Sequence, residues 1–90
     1  MSDEIEIVGT VIVRGVTWQF ERWRYDGCPL SATRIPRTRN EYRYSVEIDE
    51  AGDLEFNGLP YEAANPMVPG EVLRRLVADA VERKADGWAP

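Results

Sequence analysis

Ninety residues with 16 acidic and 11 basic side chains carry a formal charge of −5, enough chain for one domain with a thin core, since a fold of this size buries only roughly 60–65% of its unfolded surface. Apolar residues make up 43% and charged residues 30%, which fits a globular fold and excludes a disordered chain. The chain has no histidine, which excludes Ser–His–Asp and Cys–His catalysis, histidine-ligated zinc and any imidazole base.

In chain order, Ile5, Ile7, Val11 and Val13 fall at strand spacing, and Val16, Trp18 and Phe20 do so again after Arg14-Gly15. A two-residue turn at Arg14-Gly15 pairs Val13 with Val16, Val11 with Trp18, and Gly9 with Phe20. Continued without a break, that register sets Ile7 against Arg22 and Ile5 against Arg24. One extra residue near Glu21-Arg22 would bring Trp23 and Tyr25 opposite the isoleucines instead, so a β-bulge is expected there. These strands span about 4–13 and 16–25.

Residues 26–41, DGCPLSATRIPRTRNE, hold two prolines, a glycine and scattered Ser, Thr and Asn. They read as a loop, near the length at which a structureless connection becomes unusual. Tyr42, Tyr44, Val46 and Ile48 then alternate with Arg43, Ser45, Glu47 and Asp49, the pattern of a half-buried strand over 42–49. A turn at 50–53 leads into a strand at 53–57. Asn57-Gly58 is a strong hairpin signal, and Leu59-Pro60-Tyr61 supplies at most a short fifth strand, because Pro60 cannot donate to a ladder.

A helix is expected over about 69–85, with Pro69 at its first position and Glu71 in its first turn. Val72, Leu73, Leu76, Val77, Ala80 and Val81 form its apolar stripe, and Arg74, Arg75, Asp79, Glu82 and Arg83 take the other side. Glu71–Arg75 and Asp79–Arg83 are helical pairs. Arg83 and Lys84 load the last turn, Gly87 follows as a stop residue, and Trp88 is expected to fold back on the final turn or the sheet. The expected fold is α+β: a four-stranded antiparallel meander, with a short fifth strand at most, and one C-terminal helix packed on one face.

The chemistry concentrates between residues 22 and 43. Arg22, Arg24, Arg34, Arg37, Arg39 and Arg43 stand against Asp26 and Glu41, so the window carries +4 and the remainder −9. Arginine offers a planar fork for carboxylates and phosphates, and Trp23, Tyr25, Tyr42 and Tyr44 flank the cluster. Two readings compete. Either the arginines pair with acidic groups of the same domain, or Arg22, Trp23, Arg24, Tyr25, Arg34, Arg37, Arg39 and Arg43 form a contact surface for an anionic partner. Arginine with aromatics also suits single-stranded nucleic acid, although nucleic-acid domains usually have a high pI.

Glu47, Asp49, Glu50, Asp53 and Glu55 form an acidic set that does not fit calcium-loop spacing. It reads as a solvated face or as a surface that steers toward a basic protein. Cys28 has no histidine to activate it and reads as a bland loop thiol. With one cysteine there is no internal disulfide, and a cytoplasmic location is expected. No apolar run is long enough for a membrane helix, and the acidic start MSDEIEIVG does not resemble a secretory signal. No glycine-rich phosphate loop is present. The expectation is a non-enzymatic protein-binding module without cofactor or metal, monomer or homodimer, of the small acidic inhibitor type to which immunity proteins, antitoxins and phage anti-defence proteins belong. Its expected contact surface is the 26–41 loop, helped by Trp23 and Arg24, with the acidic face for steering. Nucleic-acid binding through the same arginines is the alternative.

Overall fold

Arg14 and Gly15 both take positive φ, 52° and 81°, the geometry that suits a two-residue hairpin turn to the twist of its strands. The turn joins β1 (Ile5–Val13) to β2 (Val16–Trp23). Val13 lies opposite Val16, Val11 opposite Trp18 and Gly9 opposite Phe20, as the spacing predicts. The computed structural model describes residues 5–23, 29–36 and 43–86. The expectations for Cys28, Tyr42, Gly87 and Trp88 fall outside them.

The bulge exists but sits on the other strand. The register shifts between Ile7 and Gly9, so Ile7 faces Glu21 and Ile5 faces Trp23. Val8 is the extra residue, and Gly9 beside it has no side chain to hold the regular pleat. β2 therefore stays in phase along its length. Trp18, Phe20 and Arg22 share one face, while Gln19, Glu21 and Trp23 share the other. This phase decides where Arg22 goes.

A second correction falls within 26–41, where the composition suggests a loop. Ser31–Ile35 form β3, antiparallel to β2 with Trp18 opposite Arg34, Phe20 opposite Ala32 and Glu21 opposite Ser31. Polarity hid this strand: Ala32 is its only residue that is apolar, small and fully buried, and Ser31 and Thr33 are buried on its opposite face. A strand pressed between neighbours needs a small residue where the helix approaches, so it carries little of the hydrophobic signal that marks its neighbours. The Ser31 hydroxyl donates to the Glu21 carbonyl at 3.2 Å, and β3 ends before Pro36, which has no N–H to extend a ladder.

β4 (Tyr44–Ile48), β5 (Leu54–Phe56) and β6 (Leu59–Pro60) complete one sheet with strands in sequence order, each antiparallel to the next. The sheet thus has six strands, β3 being the one that composition concealed and β6 the expected stub. Asn57 and Gly58 take positive φ at the β5–β6 turn. The Asn57 side chain also bonds back to β4, accepting from the Ser45 N–H at 2.9 Å and donating to the Arg43 carbonyl at 3.1 Å. A short 3₁₀ turn (Tyr61–Ala64) and a connector lead to α1 (Gly70–Ala85).

The helix lies over β3 and β4. Pro69 caps it from outside, one position earlier than expected, its carbonyl accepting from the Val72 and Leu73 N–H groups. Val72, Leu73, Leu76 and Ala80 are buried against Trp18, Phe20, Val46 and Phe56. Tyr44 stacks on Phe56 with ring centroids 5.6 Å apart, and the Arg75 guanidinium lies 5.0 Å from the Phe20 ring centre. The stripe is narrower than expected, because Val81 is 51% exposed. Asp79 and Arg83, placed by the sequence on the polar side, lie three and seven residues beyond Leu76 and so flank the buried line.

Leu76 is 1% exposed, so Leu76→Ala should destabilise the protein by about 2–5 kcal/mol in urea unfolding. Val81→Ala should change stability by no more than about 0.5 kcal/mol. Equal losses would mean that the helix docks by a different face.

Candidate functional site

The in-phase β2 strand points Arg22 at the helix. Its Nη2 donates to Asp79 Oδ1 at 2.5 Å, and the second oxygen of Asp79 accepts from Arg83 Nε at 2.8 Å and from the Leu30 N–H at 3.1 Å. Arg83 extends the chain of contacts by donating from Nη2 to the Val46 carbonyl at 3.3 Å. The Asp79 side chain keeps only 11% of its surface in solvent. Burial alone would raise its carboxyl pKa, but the hydrogen bonds from Arg22, Arg83 and Leu30, with the charge of Arg22, outweigh that effect and hold it below the ordinary carboxylate value.

The other face of β2 holds a second engaged arginine. Glu21 is 1% exposed, and its carboxylate accepts from Gln19 Nε2 at 2.6 Å and from Arg43 Nε at 3.3 Å. The Arg43 guanidinium also lies 5.4 Å from the centre of the Trp23 ring, within cation–π range. Trp23 is half-buried and faces Ile5 across the ladder. For Arg22 and Arg43, then, the internal partners are acids of the same fold. Arg34 is exposed at the end of β3 and has no ion pair or hydrogen bond among the described residues. Arg24, Tyr25, Arg37 and Arg39 lie outside the described residues. The structure therefore separates the described arginines: Arg22 and Arg43 turn to opposite faces of the sheet, and Arg34 stands apart from both.

The acidic set is brought together more closely. Glu47 of β4 lies directly opposite Glu55 of β5, a like-charge cross-strand pair that costs stability. Neither has a basic partner among the described residues. Asp49 serves the turn between these strands, its carboxylate accepting from the N–H groups of Ala51 at 2.9 Å and Asp53 at 2.8 Å. Beside the turn runs an open groove of about 650 Å³, where Asp49, Asp53, Glu55 and Glu62 stand around Leu59 and Tyr61 and no lining residue is basic. Glu62 enters this group from the 3₁₀ turn, where no spacing rule links it to residues 49–55. The carboxylates line a length of groove and do not converge; among the described residues no three acids cluster as metal ligands would. Such a surface suits an extended cationic segment with apolar side chains.

Comparison with protein-family models, with curated proteins and with solved structures gives no match. The described helix is not long and apolar enough to cross a membrane.

Asp79→Asn should lower stability at pH 7 by about 2–4 kcal/mol, less than for a fully buried pair because Arg22 stays partly solvated. A carboxyl whose folded pKa is depressed contributes stability above its unfolded pKa, and that contribution is lost as pH falls through the folded value. Urea unfolding at pH 7 and at about pH 3 should thus show the gap between wild type and Asp79→Asn closing in acid. A gap independent of pH would mean that Asp79 acts by shape and not by charge.

Proposed function

We propose that the chain is a non-enzymatic protein-binding module of the small acidic inhibitor type, and that its acidic groove receives a basic segment of the partner. The observation that carries this reading is the opposed Glu47–Glu55 pair at the edge of a groove with four carboxylates and no basic side chain. Like charges held opposite one another raise the energy of the free fold, and a lysine or arginine from outside would relieve it. Leu59 and Tyr61 give the groove apolar surface for the stems of those side chains. A formal charge of −5 adds long-range attraction for a basic partner.

The arginine surface expected over 26–41 contributes less to this reading. Arg22 would have to leave the half-buried Asp79 and Arg43 the buried Glu21 before gripping a partner, and Ser31 and Thr33 in the 26–41 segment are buried. Removing one member of a buried pair is costly. Arg34, and Arg24, Tyr25, Arg37 and Arg39 beside it in sequence, remain as contact residues. The same cost weighs on single-stranded nucleic-acid binding, which would draw on most of the six arginines at once.

The test compares the wild-type chain with Asp53→Asn/Glu55→Gln/Glu62→Gln in capture from an extract of the source cells, with and without nuclease treatment. Basic proteins held by wild type and released by the triple variant support the groove reading. Proteins held equally by both contradict it, and so does capture that disappears on nuclease treatment.

A further inference from the structure

A second concavity lies at the opposite end of the strands, between the β1–β2 turn, the exposed end of β3 and the connector that precedes α1. It is a cleft of about 220 Å³ with Val13 and Val68 at its base, Trp18 and the exposed Met67 at its sides, and Arg14 and Arg34 on its rim. In a chain with 16 acids to 11 bases, none of its lining residues is acidic. Neither rim arginine makes an ion pair or a side-chain hydrogen bond among the described residues. Trp18 is 3% exposed, and its indole Nε1–H has no acceptor.

Arg14 is the unusual choice. The first position of a two-residue hairpin turn lies in the left-handed region, where Asn and Gly sit at least cost. The chain follows that preference in its other such turn, where Asn57 has φ 50° and its side chain bonds to β4. In the first turn the equivalent residue is Arg14, at φ 52°. An arginine there strains the backbone and gives the fold no described contact in return. Side chains held at such a cost commonly serve a site.

We propose that this cleft binds a small organic carboxylate with a branched aliphatic body, the carboxylate held between Arg14 and Arg34 and the body against Val13, Met67 and Val68. The volume admits one residue-sized group, below the range of larger ligand pockets. Arginine's fork matches a carboxylate in two parallel hydrogen bonds, and the apolar base selects against a bare inorganic anion. A free acid and the C-terminal residue of a peptide chain share this chemistry.

The test is a ¹H–¹⁵N NMR titration followed at the assigned indole resonance of Trp18 and the amides of Val13, Arg34 and Val68. The probes are 4-methylpentanoate, N-acetyl-leucine and the neutral N-acetyl-leucinamide. Saturable shifts are expected from the carboxylates, with a Kd on the order of millimolar for ligands this small, and none from the amide. Shifts from both acids support a free carboxylate as the occupant, and shifts from N-acetyl-leucine alone support a chain terminus. Arg14→Asn and Arg34→Gln should each weaken binding at least about tenfold, as loss of a charged hydrogen-bond partner does. Arg14→Asn should melt at an equal or higher temperature, which separates loss of the site from loss of the fold. Equal shifts from acid and amide, shifts that survive both substitutions, or no shift at all would overturn the proposal. Neither substitution touches the acidic groove, so this result and the capture result stand or fall independently.

Discussion

The carboxylate of Asp79 joins parts of the chain that the sequence keeps far apart. It receives Arg22 from β2, the Leu30 amide that introduces β3, and Arg83 one turn along its own helix, while Arg83 reaches on to the β4 carbonyl of Val46. Apolar contact through Leu76 and its neighbours is nondirectional and would tolerate some sliding of α1 over the sheet. Three donors converging on one carboxylate, each limited to hydrogen-bond distance and angle, tolerate much less. They fix the azimuth of the helix and its position along the strands. The fixed helix in turn sets which face of the meander is core and which is left for contact.

That constraint also changes what the arginines mean. A window of six arginines in an acidic chain invites the idea of one anion-binding patch. The fold instead sends Arg22 to one face and Arg43 to the other, each onto an acid that burial would otherwise leave costly. Among the described residues, two concavities of opposite charge then stand apart. An acidic groove sits at the end of the strands with the β4–β5 turn, and a pair of arginines rims a cleft at the end with the β1–β2 turn. On the proposed reading, separation of this kind would let one small surface attract a basic protein at one end and accept a carboxylate at the other.

Where spacing controls structure, the sequence was legible. Val11, Val13, Val16, Trp18 and Phe20 alternate strictly, and their hairpin register follows from the two-residue turn alone. Asn57-Gly58 and the helical stripe were equally plain. β3 was not, because Ser31, Ala32 and Thr33 are small residues that fit a crowded sheet and carry no hydrophobic alternation. The bulge was legible as a need, since the isoleucines and Trp23 had to share a face, but either strand could supply the extra residue. Asp79 and Arg83 could have been placed on the core side from their offsets to Leu76; their charge argued for solvent, and the partners that explain why they face inward, Arg22, Leu30 and Val46, lie far from them in sequence. The Glu62 side of the groove and the closeness of Arg14 to Arg34 depend on tertiary packing and leave no local trace.

The central claim is that Arg22 and Asp79 act on one another to lock the helix to the sheet. A double-mutant cycle with Arg22→Gln, Asp79→Asn and the pair, measured by urea unfolding at pH 7, tests it most directly. A coupling of about 1 kcal/mol or more is the predicted result, with the double variant less destabilised than the sum of the single ones. Additive losses within about 0.3 kcal/mol would show that the two side chains meet without acting on each other.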